Sequence, residues 1–160
     1  NGNCEKMGKR LLFYRYIQWS WRNLMDNLEK TQRSKNMSGI KSKNTKPEIV
    51  VRSLLFKKGY RFKIHDKKLP GKPDIVLPKY NVIVNIHGCY WHYHGCSRSN
   101  IPKTQTEYWV NKLENNKKRD FQNKRKLTRL GWKVIDVWEC TLKKKNIEKT
   151  LNKIERLIAA

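Results

Sequence analysis

The amino-acid sequence predicts an α/β fold in which helices flank a small mixed β-sheet. Amphipathic segments with helical spacing stand on both sides of short β-branched runs, and Gly or Pro residues separate many of these segments. In chain order the pattern indicates helix, helix, three strands, helix, strand and helix, which is typical of an α/β or α+β sandwich. The 160 residues are enough for one hydrophobic core.

The first predicted helix is basic and amphipathic. Its apolar residues recur at spacings of three and four, at Tyr14, Ile17, Trp21, Leu24 and Leu28. Translation could instead begin at Met25, since an ordinary-looking start, Met-Asp-Asn-Leu, stands there. Residues 1–24 are therefore assigned to an N-terminal extension of uncertain status, and residues 25–160 to the main domain.

A basic connector and a second helix follow. Ser, Asn and Lys predominate from residue 31 to residue 46 without an apolar period, which predicts a connector that could reach phosphates. Thr45 and Glu48 form a capping-box pattern with Pro47 in the first turn, and Gly59 ends the predicted helix.

The remaining elements are predicted from alternating and β-branched segments. Residues 60–64, 74–77, 81–86 and 132–138 give four strands. A long polar helix from about residue 106 to residue 130 presents Trp109, Leu113, Leu127 and Leu130. A last helix is defined by Ile147, Leu151, Ile154 and Ile158. The strand tryptophans, Trp132 and Trp138, are expected to pack in the core.

The charge of the chain indicates a polyanion as its partner. Lys and Arg number 37 against 13 Asp and Glu, and the net charge of +24 is spread along the chain. A solvated lysine-rich surface is the alternative interpretation. No segment approaches the roughly 20 apolar residues of a membrane-spanning helix. Clustered Cys and His residues favour metal binding over a disulfide framework. Since no secretory signal is recognised, we expect the protein in the reducing cytoplasm.

The densest chemical signal is the segment IHGCYWHYHGC at residues 86–96, which holds three of the four histidines. Cys89, His94 and Cys96 lie close together in it, and Cys140 follows a predicted strand. Three thiolates and one imidazole complete a tetrahedral zinc shell, so this set predicts a structural zinc site. Alternatively, Cys140 is a buried core thiol and the other residues are incidental.

Three further polar residues are candidates for catalysis. His87 and His92 are not needed by the zinc set and could exchange protons near neutral pH, although a loop histidine is often only a surface hydrogen-bonding residue. Asp74 follows Pro73 at a strand start, where a carboxylate can hold Mg2+ against a phosphate. This suggests a nuclease of the Pro-Asp...(Asp/Glu)-x-Lys superfamily, but Ile86 stands where that pattern requires an acid.

Several short motifs follow one another at defined spacings. They are RSKNM at 33–37, NTKPE at 44–48, LPGKPD at 69–74, IHGCYWHYHGC at 86–96, TEYW at 106–109, KRD at 118–120 and VWEC at 137–140. In this order they resemble the very-short-patch repair endonucleases, the Vsr family. The resemblance extends from about residue 25 to residue 144.

The resemblance implies a restriction-endonuclease-like fold and a DNA nickase with catalytic Mg2+ and structural Zn2+. Such an enzyme recognises a T:G mismatch, the product of 5-methylcytosine deamination, and cleaves on the 5′ side of the mismatched thymine. The expected partner is double-stranded DNA with that mismatch, bound by a monomer. Other mismatch-repair proteins are further candidate partners.

Individual roles also follow from the resemblance. Asp74 would bind Mg2+ through its carboxylate and Ile86 through its main-chain carbonyl, so that no acid is needed at position 86. His92 would act as general acid or base, oriented by Asp120. Glu48 would hold a metal-bound water, and His87 would lie beside the scissile phosphate.

The resemblance covers two more groups of residues. Cys89, His94, Cys96 and Cys140 match the structural zinc ligands of the family. Tyr90, Trp91 and Trp109 match aromatic side chains that wedge into the duplex beside the mismatch, where a T:G wobble pair is easier to unstack than a Watson-Crick pair. Core packing is the alternative interpretation for these rings.

Two rival functions accompany the mismatch nickase. The first is a restriction-type nuclease of the same fold that acts on paired DNA. The second is a zinc-stabilised DNA-binding module without catalysis, which the missing acid and lysine of the superfamily pattern suggest.

Overall fold

Helices cover both faces of a four-stranded sheet in this computed structural model, which describes residues 29–39, 41–103 and 105–159. The elements are α1 Lys30–Ser38, α2 Lys46–Lys57, β1 Lys63–Ile64, β2 Ile75–Leu77, β3 Val82–His87, α3 Thr106–Arg129, β4 Lys133–Trp138 and α4 Ile147–Ala159. Short 3-10 turns follow β2 at Pro78–Tyr80 and β4 at Glu139–Leu142. The predicted helix at residues 14–28 lies outside the described residues. Within the described ranges, no helix has the length and apolar character to cross a membrane.

The sheet is mixed, as predicted, and its strand order is β1-β2-β3-β4. β2 is antiparallel to both β1 and β3, whereas β3 and β4 run parallel. A tight turn is enough to join β2 to β3, but a parallel pair needs a long crossover, which α3 supplies. Because β3 and β4 end together, His87 and Trp138 lie side by side at the carboxyl ends of these strands.

Different helices cover the two faces of the sheet. On one face α2 and α4 pack against β2, β3 and β4, and the buried cluster includes Val51, Leu55, Ile75, Val84, Ile135 and Ile154. On the other face α3 packs through Leu127 against Val76 and Ile83. The sheet therefore lies between two layers of helices.

The capping box predicted for α2 is confirmed. The Thr45 hydroxyl donates to Glu48 Oε1 at 2.8 Å, and the Thr45 backbone N–H points to the same oxygen at 3.4 Å. Gly59, at φ +88°, follows the helix in the left-handed conformation that ends it without steric cost. This start of α2 holds Glu48 at 3% exposure beneath the surface.

The prediction of a connector without secondary structure at residues 31–46 was wrong in its first half. Helix α1 occupies Lys30–Ser38, and the side chains described in it are exposed. Its sequence contains Lys, Gln and Arg, which are good helix formers. Periodicity missed it because its sequence, KTQRSKNMS, contains no apolar stripe.

Two other predictions were wrong in detail. The first strand contains only Lys63–Ile64, because Tyr60 and Phe62 pack against the core before pairing begins, while Ile64 is exposed. Leu130 is 61% exposed just beyond the end of α3, whereas Trp109, Leu113 and Leu127, predicted on the same apolar stripe, are buried.

Candidate active site and metal centre

Asp74 lies where the chain turns into β2. Its Oδ2 accepts a hydrogen bond from the backbone N–H of Ile86 at 2.7 Å, which fixes the carboxylate against β3. Burial raises the pKa of Asp74, the hydrogen bond from Ile86 opposes this, and the nearby Glu48 raises the pKa further. A half-buried carboxylate of this kind would be stabilised in its ionised form by a bound cation.

Glu48 and His65 bring two more potential ligands to Asp74, since one ligand atom of each lies within 4.8 Å of the others. Arg52 donates to Glu48 Oε2 at 2.5 Å and lies 2.9 Å from His65 Nε2. His65 adopts φ +48°, which is unusual for a residue other than glycine. Sequence analysis missed His65, because a single histidine in a loop carries no motif and only the fold brings it here.

A pair of histidines lies at the end of β3 and in the loop after it. His87 Nδ1 is 3.2 Å from His92 Nδ1, and His92 Nδ1 also forms a short hydrogen bond with Asp120 Oδ2. Because an ionised carboxylate only accepts hydrogen bonds, the proton of neutral His92 belongs on Nδ1. Nε2 of His92 is then the nitrogen that can exchange a proton with a substrate.

Asp136 of β4 is a second site residue that sequence analysis missed. Its Oδ1 is 3.1 Å from His87 Nε2, and its Oδ2 accepts from Lys124 Nζ at 2.6 Å. Burial would raise the pKa of Asp136, but the hydrogen bonds from His87 and Lys124 outweigh it and lower the pKa to about 2. The sequence did contain a signal, namely an acid between Ile135 and Val137 in an otherwise apolar strand.

A groove of about 1210 Å³ joins these residues. Its walls include five residues that we call the groove cluster: Asp74, His87, His92, Asp120 and Asp136. Basic side chains line the same groove, among them Lys41, Lys43, Lys46, Lys72, Lys117, Arg119 and Lys124. A polyanion in this groove would meet the cluster with its phosphates close to positive charge.

Cys89, His94, Cys96 and Cys140 converge on one point and form what we call the cysteine cluster. Their ligand atoms all lie within 4.8 Å of one another, and Cys140 Sγ is 3.5 Å from His94 Nδ1. Burial raises the pKa of Cys89 to about 12, whereas the backbone N–H of Arg98 and the His94 side chain lower the pKa of Cys96 to about 6. Three sulfurs and one imidazole at these separations fit a tetrahedral zinc ion.

Trp138 separates the two clusters. Its ring stacks on His94 with centroids 4.1 Å apart and lies 5.0 Å from the ring of His87. The expectation that Trp138 packs in the core was therefore incomplete, because this half-buried ring contacts one histidine of each cluster. Trp132 does pack against the buried cluster beneath α3, as predicted.

Three aromatic side chains gather beside the groove. Tyr90 lies 5.0 Å from Trp91 and 5.8 Å from Trp109, measured between ring centroids. Trp109 is only 8% exposed, whereas Trp91 lines the groove. Lys112 Nζ lies 5.1 Å from the Trp109 ring and 5.5 Å from the Trp91 ring, so that a positive charge accompanies the aromatic surface.

Known proteins are similar to this chain over most of its length. The family described as DNA mismatch endonuclease Vsr matches residues 25–98. The type II nicking enzyme V.NmeAIP of Neisseria meningitidis is 46% identical over 136 residues, which cover 84% of this chain and 97% of that protein. The chain belongs to the Vsr family of DNA mismatch endonucleases. The DNA mismatch endonuclease Vsr of Escherichia coli is 41% identical, with 75% of this chain and 77% of that protein covered.

In this Vsr-family chain the fold brings together most of the residues that the motifs singled out. Glu48 and Ile86 line the same groove as Asp74, His87, His92 and Asp120. The four cysteine-cluster residues meet although Cys140 is far away in sequence. Of the three predicted wedge residues, only Trp91 lines the groove itself. The role of each residue stays a prediction.

Proposed function

We propose that this protein is a Mg2+-dependent endonuclease that nicks DNA 5′ of the thymine in T:G mismatches arising from 5-methylcytosine deamination, and so starts very-short-patch repair. Family membership and the relatives named as mismatch endonuclease and nicking enzymes support an activity of this class. The single observation that carries the proposal is that Asp74 and His92 line one basic groove. A phosphodiester in that groove would lie between a metal-binding carboxylate and a proton-transfer group.

Asp74 and the main-chain carbonyl of Ile86 are the proposed Mg2+ ligands. The donor set fits, because Mg2+ prefers oxygen ligands and Asp74 is a half-buried carboxylate with a raised pKa. Bound Mg2+ supplies positive charge against the negative charge that gathers on the phosphate during cleavage. Glu48 would hold and orient a water molecule on the same side of the groove.

His92 is the proposed general acid or base. Its Nδ1 faces Asp120, so the carboxylate orients the ring and leaves Nε2 for the reacting oxygen. Imidazole is the side chain most suited to proton transfer near neutral pH. His87 would lie beside the scissile phosphate and contacts His92 directly.

Two further assignments complete the proposal. The cysteine cluster would hold a structural zinc that braces a restriction-endonuclease-like fold, since a shell of four protein ligands leaves no open position. Tyr90, Trp91 and Trp109 would replace lost base stacking beside the mismatch, and Trp91 is the ring that already lines the groove. The protein would act as a monomer on double-stranded DNA.

A nicking assay on end-labelled duplexes tests the proposal. The protein is incubated with T:G, T:A and C:G versions of one duplex, with and without Mg2+. We expect a single-strand cut 5′ of the mismatched thymine, only in the T:G duplex and only with Mg2+. Equal cleavage of the paired duplexes would instead identify a restriction-type nuclease. Binding without cleavage under all conditions would identify a non-catalytic module.

A further inference from the structure

His87 is held on both sides of its ring, and the two contacts differ in kind. Nδ1 lies 3.2 Å from His92 Nδ1, inside the groove cluster. Nε2 lies 3.1 Å from Asp136 Oδ1, and the other oxygen of Asp136 accepts from Lys124 at 2.6 Å. An ionised Asp136 requires a proton on His87 Nε2, so neutral His87 presents a bare Nδ1 to His92.

One face of α3 carries a residue that contacts His92 and a residue that is linked to His87. Asp120 and Lys124 are four residues apart and therefore lie one above the other on the helix surface. Asp120 contacts His92 directly, whereas Lys124 reaches His87 through Asp136. The parallel register places Asn85 opposite Asp136, and its Nδ2 lies 3.5 Å from Oδ1. Asp136 thus lies among His87, Lys124 and Asn85.

We propose that Asp136, held by Lys124, is a positioning residue that fixes the tautomer and orientation of His87, which in turn supports His92 toward the scissile phosphate. The inference rests on the proposed function of the groove. It adds a second Asp-His pair to the Asp120-His92 pair, and the two pairs meet where the Nδ1 atoms face each other.

A purely structural role explains these contacts less well. Lys124 is 47% exposed in its pair with Asp136, and exposed ion pairs contribute little to stability. Packing of α3 on the sheet is provided by the buried Leu127, one helical turn beyond Lys124. Asp136 also lines the groove, so that its charge is directed at the reaction site.

Kinetics of the bound complex test the inference. In single-turnover nicking of T:G DNA at saturating enzyme, we expect Asp136→Asn to lower the rate about 10- to 100-fold, as is typical for loss of an orienting partner. DNA affinity should stay within about twofold of the wild type. The matched control is Glu155→Gln, whose acid pairs with Lys58 away from the groove and should leave the rate unchanged. An unchanged rate in Asp136→Asn would overturn the inference.

A double-mutant cycle separates positioning from a general effect on the fold. If Asp136 acts through His87, adding Asp136→Asn to His87→Ala should cause almost no further loss. A full additional loss would contradict the inference.

Nitrogen-15 NMR of the imidazoles gives a readout that does not need activity, so it distinguishes failure here from failure of the proposed function. We expect the proton of neutral His87 on Nε2 in the wild type and redistribution between the nitrogens in Asp136→Asn. A wild-type His87 with its proton on Nδ1 would refute the assignment.

Discussion

The cysteine cluster and the groove cluster both take residues from the loop after β3, but the two sets differ in chemistry. In that loop His92 belongs to the groove cluster, whereas Cys89, His94 and Cys96 belong to the cysteine cluster. The cysteine cluster gathers soft ligands around one point and includes the fully buried Cys89. The groove cluster consists of carboxylates and imidazoles that line an open, basic groove. The two clusters therefore lie on opposite sides of Trp138.

Because the two clusters differ in chemistry, substitutions in one should affect folding and substitutions in the other should affect the reaction rate. Four ligands that satisfy one another leave no position for a substrate, so the cysteine cluster should contribute to stability. Residues that face a groove contribute little to packing and can be tuned for reaction. Changes in the cysteine cluster should alter metal content and folding, whereas changes in the groove cluster should alter the rate in a folded protein.

The largest expected effect is on the cysteine cluster, from Cys140→Ala. Structural zinc typically contributes on the order of 10 kcal/mol to folding, which equals the whole stability of many domains. We expect a protein that has lost its zinc and is unfolded or strongly destabilised. Zinc content per chain and thermal unfolding by circular dichroism measure this.

The chain offers a matched cysteine control for this experiment. Cys4 lies outside the described residues, and Cys4→Ala should keep one zinc per chain. If Cys140→Ala also kept its zinc and its melting temperature, Cys140 would be a core thiol, as the alternative interpretation of the sequence had it.

The second largest effect is expected in the groove cluster, from Asp74→Asn. Loss of a catalytic metal ligand removes several kcal/mol of transition-state stabilisation, so nicking should fall on the order of 10³-fold or more. Zinc content and DNA binding should stay nearly unchanged, because neither depends on this carboxylate. Gel-shift titration and nicking of the same T:G duplex measure the two quantities. Parallel loss of DNA binding would show that Asp74 does more than hold the metal.

A smaller effect is expected where the clusters touch, from Trp138→Leu. The ring stacks on His94 and lies beside His87, and an aromatic pair contributes about 0.5–1.5 kcal/mol beyond its buried area. We expect a modest loss of stability together with a nicking rate that is lower by several-fold. Urea unfolding and single-turnover nicking measure both. A change in only one of them would assign Trp138 to a single cluster.

The two clusters also differ in how much of them the sequence predicts. Cys89, His94 and Cys96 stand within one short segment, and residue type alone predicts them to be a metal set. The strands and the capping box of α2 are likewise local patterns. Asp74 was predicted from its position at a strand start, and His87 and His92 from their place in the segment at residues 86–96.

The missed residues depend on tertiary structure. Asp136 meets His87 across 49 positions of sequence, only because β3 and β4 pair in one particular parallel register. His65 Nε2 lies 3.5 Å from Glu48 Oε2, and His65 itself has a left-handed backbone conformation. No sequence motif predicts this contact. Local patterns thus predicted candidate ligands within one segment and the family motifs predicted Asp120 beside His92, but neither predicted Asp136 or His65.

The smallest expected effect concerns the stability of the protein without Mg2+. Because the fold raises the pKa of Asp74 above its usual 3.8, the ionised carboxylate opposes folding at neutral pH, and this cost disappears as the pH falls through the raised pKa. Asp74→Asn should therefore raise the melting temperature slightly at pH 7 and lose that advantage near pH 4. Added Mg2+ should stabilise the wild type and not the variant. Thermal unfolding of both proteins between pH 4 and pH 8 measures the difference, with zinc content determined at each pH because protons displace zinc from thiolates. A variant less stable than the wild type at pH 7 without Mg2+ would mean that the hydrogen bond from Ile86 outweighs the cost of burying the charge.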